Sequence, residues 1–186
     1  VQVDGIRVLQ VINNLTMGGA EGQLKEQTLG LRKRGLMNEV YLLRRTGSYF
    51  ERSLEDAGVP LYGPRSLSVY SPLQVLALAR HLCNHAYDLI HVHLFPAQLW
   101  AVLASGLVGV QTSLLTTEHS THNRRRRWFF RPVDRWLYTR YQGIVCVSEA
   151  TQSALTQWIP GTMTKTRVIP NGVKLDRFVN AVRLPR

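Results

Sequence analysis

Acidic residues are the first thing this chain is short of: 12 Asp and Glu stand against 23 Lys and Arg, for a net charge of +11. Such a surface disfavours cationic partners and favours anionic ones, chiefly phosphorylated substrates and acidic lipid headgroups. Nucleic acid is set aside as a partner, because the aromatic residues form no RNP pattern and no zinc-finger spacing is present. Cysteine is equally sparse. Cys83 and Cys146 are the two in the chain, and both fall in apolar helical or strand patterns. They read as buried free thiols, which suits a reducing cytosol. No apolar run reaches membrane-spanning length; the longest, Leu94 to Val110, is interrupted by Gln98 and Ser105 and reads as a buried helix. No basic-then-apolar leader opens the chain, so no secretory signal is expected. Internal repeats and low-complexity tracts are missing. So are G-x-G-x-x-G and G-x-x-x-x-G-K-[ST], which argues against the usual dinucleotide fingerprint and against a P-loop NTPase.

What is present is enough for a core. At 186 residues and 45% hydrophobic content the chain fits one globular domain. Its organising stretch runs from Ile6 to Lys25. Ile6 to Ile12 is a compact apolar run rich in β-branched residues, with Arg7 and Gln10 as its polar interruptions, and reads as a strand buried on both faces. Asn13 to Gly19 breaks the pattern. From Ala20 onward Leu24, Leu29 and Leu31 take helical spacing, with Lys25, Lys33 and Arg34 on the wet side. Strand, glycine turn and helix form the first half of a βαβ unit, whose ligand site lies beside the helix N-terminus. Gly18 and Gly19 carry no Cβ, so a ligand can approach their amides, and the free N–H groups there favour a phosphate or diphosphate. The plainer reading is a strand-to-helix turn with two convenient glycines.

Strands and helices then alternate to the end. Further strands are expected at Glu39–Leu43, Val59–Tyr62, Asp88–His93, Ser113–Thr117, Gly143–Val147 and Val168–Ile169. Helices are expected at Phe50–Ala57, from Ser71-Pro72 to about Ala86, at Pro96–Val108 and Trp128–Tyr141, and from a Ser148 cap to Trp158. This pattern specifies an α/β, Rossmann-like three-layer sandwich with a mostly parallel sheet and right-handed crossovers. The loops after the first, fourth and fifth strands, Asn13–Gly19, Leu94–Pro96 and Glu118–Arg127, then gather at one sheet edge.

Those loops carry the chemistry. His91 and His93 point to the same side of one strand, and His119 and His122 follow the next. A zinc reading is discounted, since convergent further ligands are not evident. His91 reads as a core histidine satisfied by a backbone hydrogen bond. His93 and His119 sit at strand ends facing the crevice, where an imidazole donates to a sugar hydroxyl or phosphate, or moves a proton. Arg124 to Arg127, followed by Trp128-Phe129-Phe130, places four positive charges where a helix dipole disfavours them. Arginine forks suit phosphate, and the aromatic residues suit a membrane interface. The bland reading of the run is a solvated helix entry.

Taken in order, M-G-G-A-E at 17–21, D-L-I-H-V-H at 88–93, L-T-T-E-H-S-T-H at 115–122, I-V-C-V-S-E at 144–149 and V-I-P-N-G-V-K-L-D-R-F at 168–178 resemble the N-terminal domain of a GT-B glycosyltransferase of the large retaining family four. The resemblance implies an acceptor-side domain over 1–170 and, over 171–186, the hinge to a donor-binding C-terminal domain. It implies transfer of a sugar, with retention, from a nucleotide-sugar to a glycan, lipid-linked or phosphorylated acceptor. No bound metal and no cofactor other than the nucleotide-sugar substrate would be needed. His119 would be catalytic. Gly18, Gly19, Glu21, His93, Ser120, Thr121, Arg124, Arg125, Ser148, Glu149 and Asn171 would meet donor and acceptor. The implied setting is the cytoplasm, with peripheral contact to the inner face of an anionic membrane. A chain ending at Arg186 lacks the family's E-x7-E half, so it is expected to be inactive alone. The alternatives are a basic α/β anion- or membrane-binding module, a GT-B-fold sugar epimerase, and a metal-dependent hydrolase using the histidines.

Overall fold

The computed structural model describes residues 5–109, 111–123 and 125–172. The alternation holds in full. In chain order the elements are β1 (Arg7–Ile12), α1 (Gly19–Arg32), β2 (Met37–Leu42), α2 (Tyr49–Asp56), β3 (Leu61–Tyr62), α3 (Leu73–Asn84), β4 (Leu89–His93), α4 (Ala97–Val108), β5 (Ser113–Glu118), α5 (Arg131–Thr139), β6 (Gly143–Cys146), α6 (Glu149–Trp158) and β7 (Thr166–Val168). The strands form one sheet in the order β3-β2-β1-β4-β5-β6-β7, and every pairing is parallel. The fold is therefore the expected Rossmann-like α/β sandwich.

Two apolar layers hold it. On one face Ile12, Val40 and Leu42 meet Leu24 of α1 and Leu54 of α2. On the other, Leu9, Val11, Ile90, Val92 and Ile144 meet Leu78, Ala101, Leu137 and Leu155 from α3, α4, α5 and α6. Burial on both sides explains why the strands read as continuous apolar runs instead of alternating ones. Because β2 lies on one side of β1 and β4 on the other, the winding reverses between β1 and β4. Open α/β sheets place their ligand crevice at such a point, outside the carboxyl ends of the strands.

Local signals behave as their chemistry requires. The Ser148 hydroxyl accepts from Thr151 N at 3.1 Å and caps α6. Pro72 has helical dihedrals just ahead of α3, and the Ser71 hydroxyl accepts from Leu73 N at 3.3 Å. Gly109 closes α4 in the left-handed conformation.

Three expectations need correction, and one element is new. The helix foreseen over Trp128–Tyr141 starts as a single 3-10 turn, Trp128–Phe130, and becomes α-helical only at Arg131. A further 3-10 segment, Pro160–Lys165, leads into β7. Cys83 is exposed, although Cys146 is buried. Lys25 is not on the wet side: its residue is buried, its ammonium lies 5.1 Å from the centre of the Phe50 ring and 3.3 Å from Glu26 Oε1. A lysine stem covers apolar surface while the charged head finds a π-face and a carboxylate. The hinge expected over 171–186 lies, beyond Gly172, outside the described residues.

At the amino edge of the sheet a polar network ties the strand starts. Tyr87 Oη donates to Glu39 Oε2 at 2.8 Å, Arg7 Nη2 donates to Glu39 Oε1 at 3.2 Å, and His81 Nε2 lies 2.9 Å from Tyr87 Oη.

Two glycines give a contrasting stability test. Gly63 has φ +121°, and a Cβ there would collide with the Leu42 carbonyl. Gly106 lies within α4 with open space around a Cβ. Gly63→Ala is expected to lose about 2–3 kcal/mol of unfolding free energy, and Gly106→Ala to gain about 0.5–1 kcal/mol. Urea denaturation of the two variants measures both; equal effects would contradict the described turn after β3.

Candidate functional site

Asn13, the first residue past β1, stands at the switch point. Its Nδ2 donates to Phe95 O at 2.9 Å, and its Oδ1 accepts from Ala97 N at 3.1 Å. One amide thus holds the loop after β1 to the loop after β4 and orients the start of α4. That second loop is unusual in its backbone: Leu94 has φ 64°, and the Phe95–Pro96 peptide is cis. A leucine in the left-handed region costs of order 1 kcal/mol or more and persists only where surroundings impose it.

Above the seam stands a chain of imidazoles. Gln10, His91, His93 and Thr117 project to one side of the sheet, consistent with the β1–β4 and β4–β5 registers. Gln10 Oε1 lies 2.8 Å from His93 Nε2, and His93 Nδ1 lies 3.1 Å from His119 Nε2. His91 Nε2 lies 2.8 Å from Thr117 Oγ1. His91 is thus a satisfied core histidine as expected, but its partner is a side-chain hydroxyl and not the backbone. His91 and His93 are buried, whereas His119 is half-buried at the end of β5. Burial disfavours the imidazolium: it pulls His91 down to about 3 and His119 to about 4, and holds His93 well below the usual value, with the neighbouring His91 and His119 adding to the shift. All three are neutral at pH 7. Among the described residues no group of three or more His, Cys, Asp or Glu is placed to hold a metal ion.

The start of α1 faces the same edge. Gly18 is its N-cap, and no side chain caps it. A Cβ on Gly19 would meet nothing within 4 Å, so its Cα faces open space. At Gly18 a Cβ would strike the Glu21 carboxylate, which therefore lies folded over the helix start, where the dipole favours negative charge. On the far side, Gln23 Nε2 donates to Gly172 O at 3.1 Å, which brings the Asn171-Gly172 segment beside α1.

The loop after β5 is anchored from below. Gln98 Nε2 donates to Glu118 Oε1 at 2.8 Å and Tyr138 Oη donates to the same oxygen at 2.6 Å. Arg125 is turned inward: Nε is 2.7 Å from Asp134 Oδ1, and the guanidinium lies 4.0 Å from the centre of the Phe95 ring. The arginine run is therefore not one outward patch, because an ion pair and an aromatic face draw one member into the fold. Arg126 Nη1 donates to Thr121 O at 2.7 Å, and Arg127 is exposed; Arg124 lies outside the described residues. Ser120 and Thr121 are exposed on the loop, Ser120 Oγ donating to His122 O at 2.9 Å. Ser148 is committed to capping α6, and Glu149 is exposed at its first turn.

The fold thus gathers Gly18, Gly19, Glu21, His93 and His119 at the carboxyl edge, with Ser120 and Thr121 on the adjoining loop. Sequence reasoning missed Gln10 and Asn13. The signal was available for Gln10: an amide in the middle of a strand buried on both faces must find a polar partner. For Asn13 it was not, because its partners lie more than eighty residues away.

The family model described as Glycosyltransferase Family 4 matches residues 17–177, and the chain belongs to that family. Its structure is that of a GT-B N-terminal half-domain. HepE of Anabaena, solved in complex with UDP and glucose, is similar with a TM-score of 0.72 and 23% identity over 92% of this chain and 46% of HepE. A glycosyltransferase of Rickettsia africae gives 0.75 and 18% over 96% of this chain and 47% of its own. The lipopolysaccharide outer core galactosyltransferase WaaB gives 0.68 and 12% over 91% and 47%. The chain spans about half the length of these solved relatives. None of the curated proteins matches it.

The buried imidazoles set a pH dependence. In the unfolded chain histidine titrates near 6.5; in the fold His91, His93, His119 and His81, the last also lowered by burial to about 4, stay neutral. Below about pH 6.5 the unfolded state binds more protons, so stability is full above that value and falls as pH drops toward the folded values. Unfolding free energy measured at pH 6 and pH 5 is expected to differ by more than one proton's worth, about 1.4 kcal/mol per pH unit. A flat profile from pH 7 to 5 would contradict neutral burial.

Proposed function

We propose that this domain is the acceptor-side half of a retaining, metal-independent hexosyltransferase that moves a sugar from a nucleotide-sugar donor to a glycan, lipid-linked or phosphorylated acceptor. The observation that carries the reading is the convergence, at one switch point, of the uncapped α1 start with Gly18 and Gly19 and the neutral imidazole of His119. An uncapped helix start suits a diphosphate, and an imidazole at the carboxyl edge of the same sheet suits the sugar attached to it. The UDP and glucose bound by HepE support a donor of that class. The nucleotide itself is assigned to a second Rossmann-like domain, so this chain alone does not turn over. In an enzyme holding both domains, His119→Ala is expected to cost about 2–4 kcal/mol of transition-state stabilisation, as for a removed preorganised hydrogen-bonding group, with nucleotide affinity nearly unchanged. Steady-state kinetics decide it; an unaltered kcat would make His119 ordinary loop surface.

We further propose that the domain works in the cytoplasm against an anionic membrane bearing its acceptor. Among the described residues no helix is long and apolar enough to cross a membrane. The docking reading rests on Trp128, Phe129 and Phe130, which are 83%, 48% and 37% exposed, with Val133 and Trp136 also exposed on α5. The core does not consume these aromatics, and Arg127, Arg131, Arg135 and Arg140 share their segment. Aromatic side chains with arginines suit the headgroup layer, each basic residue adding about 1 kcal/mol near an anionic surface. Co-sedimentation with phosphatidylserine-containing vesicles is expected to fall with salt and to be lost in a folded Trp128→Ser/Phe129→Ser variant. Equal binding by both proteins, or by neither, would remove the membrane claim.

A further inference from the structure

The imidazole chain has a direction, and its buried end sets it. Gln10, fully buried in β1, turns Oε1 toward His93 Nε2 at 2.8 Å. A carbonyl oxygen only accepts, so His93 Nε2 carries the proton. A neutral imidazole has one N–H, which leaves His93 Nδ1 as a bare lone pair. That atom lies 3.1 Å from His119 Nε2, so Nε2 of His119 is the donor. His119 Nδ1 is then unprotonated, and it has no hydrogen-bond partner among the described residues. We infer that Gln10 and His93 are positioning residues that lock His119 in the Nε2–H tautomer, so that it presents a hydrogen-bond acceptor, its Nδ1 lone pair, to a hydroxyl of the substrate.

The inference rests on the reading that His119 faces a sugar, and it sharpens that reading. An acceptor nitrogen pairs with a sugar O–H. Against a phosphate, carboxylate or carbonyl oxygen it sets lone pair against lone pair. His119 therefore selects a hydroxylated face of the ligand, and the diphosphate is left to the α1 amides. The chain needs every imidazole neutral, and burial ensures this at pH 7 for His93 and His119 alike. It also needs Gln10 to keep its orientation. The Gln10 amide nitrogen has no partner among the described residues. A reversed amide would donate to His93 Nε2, reverse each later bond and turn His119 into a donor. One glutamine rotamer thus decides which substrate atom the site recognises.

Imidazole 15N NMR separates the two states without any activity assay, so its outcome stands even where the glycosyl-transfer reading fails. In the uniformly 15N-labelled 186-residue chain at pH 7.5, with signals assigned through His93→Gln and His119→Gln, both residues are expected as Nε2–H tautomers with bare Nδ1. A protonated Nδ1 on His119 in the unaltered protein overturns the inference. Gln10→Met removes the acceptor at similar volume. With the backbone amide spectrum retained, it is expected to release His119 into a tautomer mixture, its Nδ1 resonance moving from the bare toward the averaged position. A folded Gln10→Met with unmoved tautomers shows that Gln10 only packs, and also overturns it. Should that variant not fold, the spectrum of the unaltered protein decides alone.

Discussion

The seam between β1 and β4 is the constraint on which the carboxyl edge of this sheet depends. Winding reverses there, so the loops leaving the two strands diverge and would splay without a tie. Asn13 supplies it, donating to one loop and accepting from the amide that opens α4. The value of such a bond pair lies less in its net strength, about 1 kcal/mol each, than in what it orders. It fixes the entry of α4, whose Gln98 braces Glu118 at the end of β5. Glu118 in turn holds Tyr138 of α5. His119 is the next residue along the chain. Its position is therefore set from both faces of the sheet: by the His93–Gln10 chain on one side and by the Glu118 network on the other.

This explains why the site tolerates so much buried polarity. A buried polar group is costly only while unsatisfied. His91, His93, Thr117, Gln98 and Glu118 find partners in neighbouring strands or helices, as does the Gln10 oxygen; the Gln10 amide nitrogen is left without one among the described residues. The imidazoles give up their charge, so the bonds that link Gln10, His93 and His119, and His91 and Thr117, run between neutral groups. The basic residues, by contrast, are mostly kept at the surface. Among the described residues Lys25 and Arg125 are exceptions, and each enters with partners: the Phe50 ring and Glu26 for Lys25, Asp134 and the Phe95 ring for Arg125.

Much of the fold was legible in the sequence because it rests on local signals. A β-branched apolar run marked β1, the D-L-I-H-V-H stretch marked β4, and Ser148 marked the start of α6. The three loops of interest were correctly assigned to one edge, since that follows from alternation alone. What was not legible depends on distant partners. Lys25 looks solvated by helical periodicity until Phe50 arrives from α2. Arg125 looks like one of four equal charges until Asp134 and Phe95 single it out. The 3-10 turn at Trp128–Phe130 replaces the first turn of an expected helix, and with it falls the argument that the arginines oppose that helix's dipole. Gln10 was visible as a polar break in an apolar strand, yet its role needed His93, which is 83 residues away.

The central claim is that the ligand crevice lies at the β1–β4 seam. Its most direct measurement is a backbone amide NMR titration of the 186-residue chain with a nucleotide-sugar at millimolar concentration. The account predicts that the largest shift changes fall at residues 13–19, 94–97 and 118–122, with residues around His81 and Tyr87 at the opposite sheet edge unmoved. Changes centred on that opposite edge, with the seam silent, would contradict it.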